Sequence, residues 1–143
     1  MKKYIIALAM LSLAGCSTID KGQLIGGISE PQPLDNRKIT VCEGNFLRVG
    51  WDCSAIQEWP QWAHPVLIQV FGCAVNWVQN GKIIETVIIS SNDFTTSHEV
   101  EHARGFTDLS EKFETSPAEI ARKTELYRQI IASYGDQCQP YAE

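Results

Sequence analysis

The chain lacks a long apolar run and an excess of basic residues, and it contains only three histidines and two methionines. The apolar stretch near the N-terminus, residues 5–14, is far shorter than the roughly 20 residues that a membrane-spanning helix needs. Twelve Lys and Arg residues stand against 17 Asp and Glu residues, so no basic surface that binds nucleic acid is expected. With 143 residues, the chain is also too short for a multidomain enzyme or a polytopic membrane protein.

The N-terminus has the pattern of an export signal. Two lysines and the apolar residues 5–14 lead to LAGC at residues 13–16, which resembles the lipobox of bacterial lipoproteins. The resemblance implies a signal peptide over residues 1–15 and a lipid anchor on Cys16. A thioether-linked diacylglycerol with an N-linked acyl chain such as palmitate gives stable anchoring. Ser17 stands where an inner-membrane retention signal usually has Asp, which implies the outer membrane of a Gram-negative bacterium, with the domain facing the periplasm.

The mature chain would be more acidic and would keep four cysteines. Removing residues 1–15 takes two of the 12 basic residues and no acidic one, which leaves 10 against 17, a net charge of −7. An oxidising periplasm favours disulfides, and four cysteines allow three pairings, among which the sequence does not choose. No CxxC pair is present, so a zinc site made of these cysteines is not expected. The four are Cys42, Cys53, Cys73 and Cys138.

Composition divides the mature chain into a tether and one small domain. Residues 16–38 are rich in Gly, Pro and polar residues and show no periodicity, which predicts a lipidated tether. The folded domain is expected over residues 39–143, near the lower size limit for a stable core, so disulfides are expected as well. Residues 39–42 and 46–49 are predicted to be short strands. The Trp-rich loop that follows, residues 51–64, can line a binding groove or cap the core.

Asn80-Gly81 is the strongest hairpin signal in the chain, because it lies between two β-rich runs. The first run covers residues 66–78, and the second covers residues 82–90. The sequence therefore predicts a β-hairpin over this part of the chain.

Two helical segments are predicted after the hairpin. Ser91 or Asp93 can cap the first helix, which Gly105 should end. Ser116, followed by proline, should begin the second helix, which is expected to run to Tyr134. The order of elements predicts an α+β fold, in which an antiparallel sheet around the hairpin is followed by two helices.

The first of these helices carries His98-Glu99-Val100-Glu101-His102, an HExxH motif. Residues i and i+4 share one helix face, so the two imidazoles can bind one metal ion. Zn²⁺ accepts two nitrogens, a carboxylate and a water molecule as ligands. Glu99 is adjacent in sequence to the first histidine, where its carboxylate can reach a metal-bound water without being a ligand. The motif therefore predicts a zinc site with Glu99 as its general base.

The motif and its place after a hairpin resemble the zincin metallopeptidases over about residues 66–134. The resemblance implies a peptidase in which both histidines and a carboxylate bind Zn²⁺. Glu99 then takes the proton of the water and passes it to the leaving amine. It also implies that a hairpin strand at the sheet edge aligns the peptide by strand addition. Three residues are of a type that can stabilise the developing oxyanion, namely His64, Tyr127 and Tyr134.

Two carboxylates are candidates for the third ligand. Asp108 completes the spacing HExxHxxGxxD, in which the metzincins usually have His, but the metzincin Met-turn is missing because Met1 and Met10 both lie in the signal. In the gluzincins a Glu of the next helix is the third ligand. If the two helices lie antiparallel, Glu119 comes level with His102. Glu119 can instead serve as the acid of a capping box. Glu119 is favoured, and Asp108 is the alternative.

Three functions agree with these patterns. The favoured one is an outer-membrane-anchored zinc metallopeptidase that hydrolyses periplasmic peptides or proteins. The second is a non-catalytic, disulfide-stapled envelope lipoprotein that binds a partner through Trp51, Trp59 and Trp62. The third is a zinc-binding module without catalysis. Glu99 separates the first from the third, because a structural zinc site does not need a carboxylate beside its first ligand. The sequence leaves the substrate and the oligomeric state open.

Overall fold

The computed structural model describes residues 16–20, 34, 37–58, 71–80, 82–104, 112–114 and 116–142. Within these ranges the strands are β1 (Cys16–Asp20), β2 (Lys38–Glu43), β3 (Gly72–Gln79), β4 (Lys82–Ser90), β5 (Lys112–Glu114) and β6 (Cys138–Pro140). The helices are α1 (Phe46–Ile56), α2 (Asp93–Ala103) and α3 (Pro117–Ala132), with a short 3-10 helix over Gly135–Gln137. None of the described helices is long and apolar enough to cross a membrane.

The six strands form one mixed sheet in the order β5-β1-β3-β4-β2-β6. Its centre is the antiparallel pair β3–β4. Strand β1 is parallel to both β3 and β5, strand β2 is parallel to β4, and β6 is antiparallel to β2. The predicted α+β class is confirmed, but the sheet is mixed rather than antiparallel. The two strands of each parallel pair are far apart in the chain, so no tight hairpin turn connects them.

The predicted hairpin is confirmed as the pair β3–β4. Gln79 and Lys82 face each other across the turn, which leaves a two-residue loop. Asn80 has φ +53°, the left-handed conformation that a type I′ turn needs at its first central residue. Asn adopts this conformation more readily than most residues. The start of the predicted first run, residues 66–70, lies outside the described residues.

The side chains of β3 alternate between two cores, one on each face of the sheet. On one face, Cys73, Val75 and Trp77 pack with buried residues of α1 and α3, namely Val49, Cys53, Ile56, Ile120 and Tyr127. On the other face, Ala74 packs with residues of β2, β4 and α2, namely Ile39, Val41, Ile88 and Val100. Helix α2 therefore covers one face of the sheet, and α1 and α3 cover the other.

The four cysteines expected to form disulfides all do so, as predicted. Cys42 of β2 is bonded to Cys138 at the start of β6, and this bridge fastens the C-terminal strand to the sheet. Cys53 of α1 is bonded to Cys73 of β3, which joins that helix to the central strand. The two bridges thus stabilise a domain whose size limits its core.

The prediction of a strand over residues 46–49 is wrong, because these residues begin helix α1. Asn45 caps the helix, since its side-chain oxygen accepts a hydrogen bond from the backbone N–H of Arg48 at 3.0 Å. The buried side chains repeat at helical spacing, four and then three residues apart, at Val49, Cys53 and Ile56. That period extends beyond the short run from which the strand was predicted.

The segment predicted as a tether, residues 16–38, begins with strand β1 instead. Strand β1 pairs with β3 and β5, so its five residues belong to the sheet. Thr18 and Ile19 are β-branched, and such residues favour strands. Residues 21–33 lie outside the described residues.

The helix ends differ from the prediction by one or two residues. Asn92 caps α2, in place of Ser91 or Asp93. Helix α3 ends two residues before Tyr134, and its N-cap residue Ser116 makes no side-chain capping hydrogen bond. Short polar residues are adjacent at the first boundary and each can cap a helix, so the sequence pattern does not separate them.

Candidate metal centre

Helix α2 holds the HExxH residues against the central hairpin of the sheet. Its first turn is fixed by Asn92, whose side-chain oxygen accepts a hydrogen bond from the backbone N–H of Thr95 at 2.8 Å. The hydroxyl groups of Thr96 and Ser90 share a hydrogen bond of 2.6 Å, which joins the helix to the end of β4. Further along, Val100 packs on the sheet. The helix is therefore anchored at its N-terminal end and through its apolar face.

The two histidines of the motif lie side by side. Their Nε2 atoms are 3.3 Å apart, and their ring planes are inclined by 78°. Two nitrogens bound to one tetrahedral Zn²⁺ at about 2.05 Å each lie about 3.3 Å apart. The same distance suits a hydrogen bond in which one ring N–H donates to the other ring nitrogen. His98 and His102 thus have the separation that a shared metal ion requires.

Glu99 is buried beside the histidines, with 3% of its surface exposed. Thr95, Glu99 and His102 form one buried stripe along α2, four and three residues apart. A Cβ atom at Gly72 of β3 would lie 3.5 Å from Cγ of Glu99, so the missing side chain lets the helix approach the strand closely. The close approach of α2 to β3 therefore leaves Glu99 buried where the helix meets the strand.

A cleft opens where the start of β3 meets the first half of α2. Its volume is about 480 Å³, and His98 and Glu99 contribute to its lining. Two aromatic side chains line it as well, Phe71 with 41% and Phe94 with 86% of its surface exposed. The cleft therefore combines an imidazole and a carboxylate with an apolar rim that is open to solvent.

Glu119 is not brought to the histidines. It lies in the first turn of α3, on the opposite face of the sheet from α2. Its carboxylate accepts three hydrogen bonds of 2.8 to 3.2 Å from Arg122, which also pairs with Glu58 beyond the end of α1. The hydrogen bonds that Arg122 donates raise its pKa, and those to Glu119 have a larger effect than the one to Glu58. The antiparallel pairing expected for the two helices is wrong, because α3 packs against α1.

The alternative third ligand, Asp108, lies outside the described residues, as does Gly105. Among the residues that the structure describes, no group of three or more His, Cys, Asp or Glu side chains could hold a metal ion. The described part of the site thus consists of two histidines and the neighbouring Glu99.

Two other expectations for the site are wrong. Strands β3 and β4 lie in the middle of the sheet, each with a neighbour on both sides, so neither offers an edge along its paired length. Tyr127 and Tyr134 lie on the face opposite α2, where their hydroxyl groups donate to the Ile56 carbonyl at 2.9 Å and to Asp52 at 2.6 Å. They cannot stabilise an oxyanion at the histidines, and His64 lies outside the described residues.

Sequence reasoning missed the residues that shape the surroundings of the histidines. Gly72, Phe71 and Phe94 line the cleft, but none belongs to a motif. The only signal was positional, because Phe94 precedes His98 by four residues and therefore lies on the same side of the helix. Phe71 and Gly72 come near only through the packing of α2 on β3.

Comparisons with protein-family models, with curated proteins and with solved structures find no match for this chain. The interpretation of the site therefore depends on the chemistry and geometry of its own residues.

Proposed function

We propose that the protein is a metal-dependent peptidase in which His98 and His102 bind Zn²⁺ and Glu99 is the general base. The observation that supports this proposal is the 3.3 Å separation of the two Nε2 atoms beside a buried carboxylate. Two imidazoles at this distance, on one helix face, suit a tetrahedral ion. Structural zinc sites are usually closed and rich in cysteine, whereas here the cysteines are used in disulfides.

Each residue has a separate part in the proposed reaction. The imidazoles of His98 and His102 hold the metal, which supplies Lewis-acid chemistry when bound. Glu99 accepts a proton from the attacking water and delivers it to the leaving amine. Asp108 is the third ligand in this proposal, since the spacing of Asp108 after His102 matches the HExxHxxGxxD pattern. Glu119 instead lies across the sheet.

The apolar rim of the cleft favours a substrate peptide with a bulky apolar side chain. Phe71 and Phe94 present exposed aromatic surface at the rim, next to His98 and Glu99. An apolar side chain that covers these rings removes apolar surface from water, which favours binding. The resemblance of residues 13–16 to a lipobox, followed by Ser17, supports substrates in the periplasm, at the outer membrane. Because β1 begins at Cys16, a lipid on that residue would hold the sheet near the membrane surface.

The test compares Glu99→Gln with Glu101→Gln in the domain from residue 17 onwards, purified without chelator. Glu101 is the matched control, because it lies on the same helix but is exposed, where it pairs with Arg104 at 3.6 Å. Wild type and both variants should contain one zinc per chain. Glu99→Gln should cleave a mixed peptide library at least about 100-fold more slowly than the wild type, since general-base catalysis contributes about 10²- to 10⁴-fold. Glu101→Gln should cleave it at the wild-type rate.

Two results would contradict the proposal. Turnover by Glu99→Gln at the wild-type rate would exclude Glu99 as the base. A wild-type protein without metal, and with no change in stability on His98→Ala, would show that the 3.3 Å contact does not reflect a metal site.

A binding adaptor is the second candidate, and an apolar surface on α1 favours it. Phe46, Leu47 and Trp51 are each about half exposed, on the side of the sheet away from α2. Trp59 and Trp62, the other tryptophans expected to bind a partner, lie outside the described residues. A metal-free protein in the test above would favour this candidate.

A further inference from the structure

Two polar residues are buried in the sheet beneath the end of α2. Asn76 of β3 and Thr86 of β4 are directly opposite each other across the central strand pair, and both are almost completely buried. Their neighbours on this face are apolar, among them Ala74 and Ile88. Burying polar groups is costly unless they are hydrogen-bonded, so the bonds that these two residues make identify what they do.

The two residues form a short chain of hydrogen bonds that ends on a residue of the candidate metal centre. The Thr86 hydroxyl donates to Oδ1 of Asn76 at 2.7 Å, and Nδ2 of Asn76 donates to the backbone carbonyl of His102 at 3.2 Å. A carbonyl can only accept, so the Asn76 amide must present its NH₂ group to His102. Thr86 then holds the amide in this orientation.

We propose that Asn76 is a positioning residue, which fixes His102 at the separation from His98 that a shared metal ion requires. This inference rests on the proposed function. Helix α2 ends one residue after His102, so the carbonyl of His102 is among those of the last turn, beyond the regular i to i+4 hydrogen bonds of the helix. Asn76 binds one of these carbonyls from an interior strand, so it ties the last turn of the helix to the most constrained part of the sheet. Zinc–nitrogen distances tolerate deviations of only about 0.2 Å, so a loosened last turn weakens the site.

The test measures the affinity for Zn²⁺ alone, by competition with a chromophoric chelator, alongside the free energy of unfolding. Asn76→Leu keeps a similar volume and removes both hydrogen bonds, so it should raise the Kd for Zn²⁺ by about tenfold or more. Thr86→Val removes only the group that orients the amide and should have a smaller effect in the same direction. Thr86→Ser keeps the hydroxyl and should bind Zn²⁺ as the wild type does. Val75→Ala is the matched control, because it destabilises the opposite core without contacting α2.

The outcomes separate a positioning role from a structural one and from failure of the site. If Asn76→Leu and Val75→Ala lose similar stability but only Asn76→Leu loses affinity, the positioning role is supported. If both bind Zn²⁺ as tightly as the wild type, Asn76 is merely structural and this inference fails, while the proposed function stands. If Asn76→Leu does not fold, equal affinity in Thr86→Val and Thr86→Ser contradicts the inference. A wild-type chain without zinc affinity overturns both proposals.

Discussion

Replacing Gly72 by alanine should force α2 away from β3 at the floor of the cleft. A Cβ atom at this position would lie 2.3 Å from Cγ2 of Thr95 and 2.9 Å from the backbone oxygen of Ile89. Favourable contacts between carbon atoms are about 3.5 to 4.0 Å. The Thr95 methyl group would therefore have to move by more than about 1 Å. The Ile89 oxygen belongs to the neighbouring strand, so it cannot turn aside.

The cost follows from these two contacts. Overpacking a tight core costs about 1 to 3 kcal/mol, and one contact with backbone favours the upper end of that range. Alanine also restricts the unfolded chain, which stabilises the folded state by about 0.4 to 1 kcal/mol. The net loss at Gly72 should thus be about 2 kcal/mol, which is small enough for a domain of ordinary stability to remain folded.

Denaturation in urea measures this loss, with Gly44→Ala as the matched control. Neither glycine has a positive φ, so an alanine restricts the unfolded chain to the same extent at both positions. At Gly44 the nearest atom is a ring carbon of Tyr134 at 3.0 Å, which has to move only by a few tenths of an ångström. Gly44→Ala should therefore change the free energy of unfolding by less than about 1 kcal/mol.

A second substitution tests the cause. Thr95→Ser removes the methyl group that clashes. The double variant should therefore have a free energy of unfolding about 1 kcal/mol higher than the sum of the two single effects predicts. The contact with Ile89 remains, so recovery should be incomplete. A loss at Gly72 equal to that at Gly44, or strict additivity with Thr95→Ser, would refute the close approach of α2 to β3.

Two further predictions concern the stability of the domain. Replacing both Cys42 and Cys138 by alanine should cost about 4 to 5 kcal/mol, because the bridge closes a loop with a sequence separation of 96. A loss under about 2 kcal/mol in urea would show that this bridge does not restrict the unfolded chain. Burial first, and then the hydrogen bond to Asp52, raise the pKa of Tyr134 above its ordinary value of 10.0. The folded protein therefore holds this proton more tightly, so its contribution to stability is complete below about pH 10 and is lost as the pH rises further. Tyr134→Phe should lose less stability than the wild type between about pH 8 and about pH 11, and equal losses would contradict the shift.

Features set by residues close in sequence were predictable. Asn80-Gly81 between two β-rich runs located the hairpin, because the turn and the strand alternation depend on local backbone geometry. His98 and His102 lie together for the same reason, since residues four apart share one face of any helix. Setting aside Cys16, expected to carry lipid, leaves an even number of cysteines, which predicted disulfides for a chain expected to be exported, although their pairing stayed open.

What the sequence alone determined was therefore the α+β class, the hairpin and the adjacent histidines. Only the tertiary structure decided which face of the sheet each helix covers, and so it separated Glu119 from His102 and brought Phe71, Gly72 and Asn76 to the site. The physical reason is that helix and strand periods repeat over a few residues and are visible in one segment. The packing of α2 and α3 on opposite faces instead depends on strand pairings between distant segments, for which a single sequence carries no local signal.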